Sequence, residues 1–176
     1  MVDVKALKVT AHYALAGKGG GPGGLGFDAK NHILFAMCHD PQTCVVLSAN
    51  DGKILATLPI GRGTDGGGFN PNTMEAFSSQ GDGTLTIIKE NNPTSFEVEQ
   101  TVQTKSRAKT CTLDTKRDQI IVITTESAPA AATTPTPARG SQAAATTPPA
   151  GRDQPDGGKK GGGGGPGMLD ILAIGR

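Results

Sequence analysis

Gly24-Leu25-Gly26-Phe27-Asp28, followed by Ile33-Leu34-Phe35-Ala36-Met37-Cys38 and Thr43-Cys44-Val45-Val46-Leu47, is a unit that the chain writes more than once. The second copy reads Gly67-Gly68-Phe69-Asn70-Pro71, Met74-Glu75-Ala76-Phe77-Ser78 and Thr84-Leu85-Thr86-Ile87-Ile88. A third opens at Thr112-Leu113-Asp114 and runs through Ile120-Ile121-Val122-Ile123-Thr124. The anchors Phe27, Phe69 and Leu113 lie 42 and 44 residues apart. Short apolar runs repeating at that period are what blades of four antiparallel strands produce. The fold class is therefore read as all-β, a β-propeller with three blades per chain. The repeat does not name an activity, because propellers carry unrelated functions on one frame.

Each copy punctuates its apolar runs with Gly, Pro, Asn and Asp, and none sustains a helical period. The first copy predicts strands over 24–28, 32–38, 44–49 and 53–60, the second over 66–70, 74–79, 84–89 and 96–103. Asn50-Asp51-Gly52 and Gly81-Asp82-Gly83 supply turns that want positive φ. The third copy continues from 119–125 into a tract, 127–167, with no aromatic residue and no Ile, Leu, Val or Met. Such a tract cannot bury enough apolar surface to offset its ordering entropy and is expected to be a disordered insertion. Met168-Leu169-Asp170-Ile171-Leu172-Ala173-Ile174 then resumes the last blade. Residues 1–125 and 168–176 make up the propeller portion. Lys8 to Gly17 reads as a fourth strand without its own blade, as the run 53–61 is to the second copy.

A net charge of +1 and scattered Lys and Arg give no electrostatic case for nucleic acid or an anionic membrane surface. Five Phe, one Tyr and no Trp leave little for base stacking. No segment has the length of a membrane span, and no signal peptide precedes the first strand, so the chain as written is expected in the cytoplasm. Cys38 and Cys44 flank a turn, as a cross-hairpin disulfide in an oxidising compartment or as buried reduced thiols; the missing signal favours the second.

Pro22-Gly23-Gly24-Leu25-Gly26-Phe27-Asp28, Ile33-Leu34-Phe35-Ala36 and Thr43-Cys44-Val45-Val46-Leu47, with Asp51-Gly52-Lys53-Ile54-Leu55-Ala56-Thr57-Leu58-Pro59-Ile60-Gly61, resemble the YVTN-type β-propeller repeat family. The resemblance covers 5–125 and 168–176. It implies a propeller that is usually longer, commonly seven-bladed and often exported, with many members of no assigned activity. Three blades cannot close a ring alone, and an open arc exposes apolar faces and strand edges. The expected remedy is a strand-exchanged homodimer, in which each N-terminal strand completes the partner's last blade and a six-bladed ring results. Three-fold or filamentous closure is the alternative.

Propeller ligands bind where inter-blade loops converge on the channel. By the repeat, Lys18, His39, Asp40, Thr64, Asp65, Asp82, Lys109 and Glu126 stand there, with Gly23, Asp65 and Lys109 at equivalent positions. Asp65, Asp82, His39 and Asp40 are oxygen and nitrogen donors of the kind that hold a divalent cation in lactonase-type propellers. His39 is the candidate base, Cys38 and Cys111 candidate nucleophiles, and Asp65 and Lys109 further candidate catalytic groups. Cys38-His39-Asp40-Pro41 is also ordinary turn chemistry. Gly17-Lys18-Gly19-Gly20-Gly21-Pro22-Gly23-Gly24 and Gly61-Arg62-Gly63-Thr64-Asp65-Gly66-Gly67-Gly68 lack the ending and helix of a phosphate loop and read as inter-blade loops. Two functions follow: a ligand- or protein-binding propeller acting as a homo-oligomer, or a hydrolase of lactone, ester or phosphotriester type. A small-molecule ligand fits either.

Overall fold

The computed structural model describes residues 1–126 and 168–175, so the expected insertion at 127–167 lies outside the described residues. Every described element is a strand. A short hairpin, β1 (Val2–Asp3) with β2 (Lys8–Val9), precedes three larger antiparallel sheets. The first sheet orders β3 (Pro22–Asp28), β4 (Ile33–Cys38), β5 (Thr43–Ser48) and β6 (Ile54–Pro59) in sequence. The second orders β7 (Thr64–Asn70), β8 (Glu75–Gln80), β9 (Thr84–Asn92) and β10 (Ser95–Gln103). The third holds β11 (Thr110–Asp114), β12 (Gln119–Glu126) and β13 (Met168–Ile174). The eleven strands of these three sheets fall where the repeat placed them, within a few residues. The β9–β10 hairpin runs further than expected, through Asn92, and turns at Pro93-Thr94.

Local chemistry sets the repeating turn between first and second strands. Asp28 accepts the N–H groups of Lys30 and Asn31, Asn70 accepts that of Asn72, and Asp114 accepts those of Lys116 and Arg117. Such Asx turns offer the chain a local substitute for the ladder. Each ends on a left-handed residue, His32 at φ 56°, Met74 at 55° and Asp118 at 51°, again at the repeat spacing.

The sheets stack face to face through alternate side chains. Ile33, Phe35, Met37, Cys44 and Val46 of the first sheet meet Phe69, Ala76, Ile88 and Phe96 of the second. Phe35 stacks on Phe69 at 5.5 Å and meets Phe96 edge-on at 5.9 Å. Phe77, Leu85 and Ile87, on the other face of the second sheet, meet Cys111, Leu113 and Ile120 of the third. At the innermost strands the spacing is closer. A Cβ on Gly26 would stand 2.7 Å from the Gly68 carbonyl oxygen, and one on Gly24 would stand 2.8 Å from the Gly66 carbonyl carbon. Only glycine lets β3 and β7 run backbone to backbone.

The expected strand over 8–17 is not formed. Only Lys8–Val9 is extended, and it pairs with Val2–Asp3. A strand needs an edge to pair with, and Ala16 and Gly17 turn at φ 50° and 72°. The segment lies instead on the outward face of the first sheet. There Leu15 packs on Ala36, Cys38, Val45 and Leu47, and Tyr13 Oη donates to Ala49 O at 3.0 Å. Cys38 and Cys44 are free thiols on opposite faces of that sheet, which rules out the cross-hairpin disulfide. No described helix is long and apolar enough to cross a membrane.

Gly26→Ala is expected to cost about 1–3 kcal/mol by forcing backbone against backbone. Gly17→Ala, where only the positive φ opposes a side chain, is expected to cost about 1 kcal/mol or less. Urea denaturation of the two variants beside the parent checks the order.

Candidate functional site

The starts of the three inner strands form the mouth at which the expected site residues gather. Gly23, Asp65 and Lys109 occupy equivalent positions, one per sheet. Asp65 and Lys109 meet directly, Oδ2 to Nζ at 3.1 Å, with both side chains about half exposed. Gly23 has no side chain to contribute, and the His39 ring takes its place: Nε2 would lie 2.8 Å from a Cβ at Gly23. The His39 N–H holds the ring's base there by donating to Gly20 O at 3.0 Å. The mouth thus presents an imidazole, a carboxylate and an ammonium in sequence. Thr64 sits just beneath, buried, its hydroxyl 2.7 Å from that of Ser78.

Other expected residues are employed differently. The Asp82 carboxylate accepts Arg62 N at 2.7 Å, Thr84 N at 3.1 Å and Thr84 Oγ1 at 2.7 Å. Partial burial raises its pKa, but these hydrogen bonds outweigh that and hold it below the ordinary carboxylate range. Asp82 is a loop clamp joining two turns. Asp40 is exposed in the turn after β4, and Lys18 is exposed with its carbonyl accepting from Thr43 Oγ1 at 2.8 Å. Glu126 ends β12. Among the described residues no group of three or more His, Cys, Asp or Glu is placed to hold a metal ion, so Asp65, Asp82, His39 and Asp40 are not brought together within one chain.

The thiols are poor nucleophiles where they stand. Cys38 is fully buried and donates to Ala36 O at 3.5 Å. Burial raises the Cys38 thiol pKa, and it raises that of Cys44 far more, with Cys38 adding to it. Burial also pushes Cys111 up, although Ser79 pulls the other way. A nucleophilic cysteine needs the opposite environment, a nearby cation or helix terminus that favours thiolate.

Two polar features escaped the sequence reading. Gln80, on the face of β8 toward the first sheet, is fully buried and accepts from Thr84 Oγ1 at 3.1 Å and Thr86 Oγ1 at 3.4 Å. The polar run Ser78-Ser79-Gln80 inside an otherwise core strand was its available signal. The second is the pair Asp28 and Glu90, at the opposite end of the inner strands from the mouth, which no pattern in the sequence joins.

With thiol reagent at pH 8, native Cys38 and Cys44 are expected to resist modification for as long as the fold holds. All three thiols are expected to react at once in denaturant, which an absorbance assay reads directly. Asp82→Ala is expected to cost about 1–2 kcal/mol, because it strips the acceptor from two turns.

No family model matches the chain, and no curated protein does. Among solved structures it is similar to hydrazine synthase of Kuenenia stuttgartiensis, a β-propeller-containing protein, at a TM-score of 0.60 and 13% identity. The match covers 69% of this chain and 34% of that one, so this chain spans about a third of its length. At that identity the likeness bears on fold alone. It supports an all-β, propeller-like architecture and does not reach the narrower YVTN-type resemblance.

Proposed function

We propose that the chain is a propeller-type binding module that works as a homo-oligomer, with its ligand or protein partner received at the mouth formed by His39, Asp65 and Lys109. The observation that carries the oligomer is the distribution of exposed apolar side chains. Beyond the N-terminal hairpin, the large hydrophobics exposed among the described residues are Leu25 (60%) and Phe27 (48%) on the first sheet, and Ile123 (39%), Leu169 (64%) and Ile171 (61%) on the third. Leu25 and Phe27 pair across the ladder with Ala36 and Leu34, on the face turned away from the second sheet. Ile123 shares a face with Thr110, opposite the one that Cys111 and Val122 present inward.

These two faces are the halves of an interface that the chain already makes twice. The outward face of the first sheet corresponds to the face that the second sheet turns toward the first. The outward face of the third corresponds to the face that the second turns toward the third. A second copy offers each face its complement, and closure of two copies would give a six-bladed ring. The N-terminal segment suits this reading. Tyr13 precedes Leu55 by one repeat, and Leu55 packs in the core between the first two sheets as the outer strand of its own. Residues 12–17 thus lie where a neighbouring blade's outer strand belongs, and β13 has no described strand on its outer edge. Exchange would join the two.

A mouth of mixed sign favours a polar ligand carrying both charge types, a small molecule or a peptide segment, over nucleic acid. Sedimentation at about 10 μM is expected to give twice the mass of one chain. Leu25→Asp and Ile171→Asp, each placing a charge on one face, are expected to shift the protein toward monomer. A folded parent that sediments as a monomer would overturn the reading.

A further inference from the structure

Asp28 closes β3 and Glu90 lies near the end of β9, so the two carboxyl groups face each other across the joint between the first and second sheets. Both are buried, Asp28 at 1% and Glu90 at 2% exposure. Lys30 N and Asn31 N donate to the two Asp28 oxygens at 2.9 and 3.2 Å. Asn31 Nδ2 donates to Glu90 Oε1 at 2.7 Å, tying one turn to the next sheet. Glu90 Oε2 is buried with no donor, while the Asp28 carboxyl lies within hydrogen-bonding reach of Glu90. Two ionised carboxylates so placed would repel in a medium that screens them poorly.

The next joint shows what is missing. One repeat later Asn70 stands in the place of Asp28, and its amide donates to Asp118 Oδ1 at 3.2 Å, with Asn72 adding a second amide at 2.9 Å. That joint sets one carboxylate against two amides. The first sets two carboxyl groups against one amide. Asp28 brings no side-chain donor where Asn70 brings one, and a single proton would supply it.

We propose that Asp28 and Glu90 share one proton across the joint, which makes the contact between the first two sheets tighten in acid and loosen in base. Two backbone donors already point at Asp28, so the proton sits on Glu90 Oε2 and is donated to Asp28. The surrounding charges are few. Lys30 acts on Glu90 from the β3–β4 turn. Lys89 is bonded to Thr73 O and Glu75. Glu97 on β10 accepts from Asn91, and His32 is bonded to Asn50. Burial first raises the Glu90 pKa and Asp28 adds to this, against the opposing pulls of Asn31 and Lys30. A hard cation is the rival occupant, but it seeks six to eight oxygens, and the described residues hold no cluster of three or more such side chains.

The sign follows from the raised pKa. The contribution is whole below the ordinary glutamate pKa of about 4.3 and is lost as pH rises through the folded value. Within that window the folded state holds one more proton than the unfolded, so the unfolding constant grows up to about tenfold per pH unit. Urea denaturation of the full chain from pH 4.5 to 8.5 tests this, with Asp28→Asn and Glu90→Gln beside the parent. The parent's unfolding constant is expected to climb with pH relative to both variants, since each supplies an amide donor where the proton was. Equal pH slopes in parent and variants would overturn the proposal. So would calcium or magnesium at pH 8 stabilising the parent and not Glu90→Gln, which would mark a cation site. Should a variant fail to fold, carboxyl-carbon NMR of the parent decides: Glu90 titrating well above the ordinary range supports the shared proton, and titration within that range refutes it.

Discussion

The contact on which the arrangement depends is the one between backbones at the inner strands. Gly24 lies on Gly66 and Gly26 on Gly68, close enough that no Cβ fits between them. This brings the sheets to a spacing at which Phe35 and Met37 interdigitate with Phe69 and Phe96. Each glycine in a strand forfeits about 0.5–1 kcal/mol of backbone entropy. Full burial of a side chain such as Phe35 or Met37 returns about 1.5–3 kcal/mol, so the exchange favours the stacked form. The same contact leaves the inner wall without side chains over its glycine run. Chemistry is thereby displaced to the two ends of the inner strands.

What the sequence revealed was whatever repeats. The anchors Phe27, Phe69 and Leu113, the Asx turns behind them and the glycine-rich inner strands all recur at one period, and they located the strands to within a few residues. The N-terminal segment forms no strand over 8–17 within one chain because a strand depends on a partner edge, which periodicity cannot supply. The site was half legible. Equivalence through the repeat put Gly23, Asp65 and Lys109 at one level, but it could not show that the His39 ring fills the space over Gly23. Nor could it show that Asp82 spends its oxygens on Arg62 and Thr84. Asp28 and Glu90 are 62 residues apart, outside any repeat relation, and only packing makes them neighbours.

The two ends of the inner strands differ in kind. At the mouth the charged groups are half exposed, and an ion pair such as Asp65–Lys109 contributes little to stability, about 0–1 kcal/mol. Groups that cost little to rearrange are free to exchange one partner for another. At the far end the carboxyl groups are dry, and every hydrogen bond there matters to the joint, because an unmet buried acceptor carries its full desolvation cost. The proposed binding surface and the proposed proton-linked joint thus stand at opposite ends of one set of strands.

This separation bears on how assembly and binding would relate. The mouth in a single chain is an arc with three of its positions filled, and every neighbouring sheet adds another inner strand start beside it. Covering Leu25 and Phe27 with the Ile123, Leu169 and Ile171 face of a second copy would bring two such arcs onto one axis. The His39, Asp65 and Lys109 triplet would then recur around that axis. A ligand touching both copies gains contacts that neither offers alone, so by linkage its binding favours the closed ring and closure favours its binding. The coupling requires no movement within a chain, only that the apolar faces and the polar mouth belong to the same sheets.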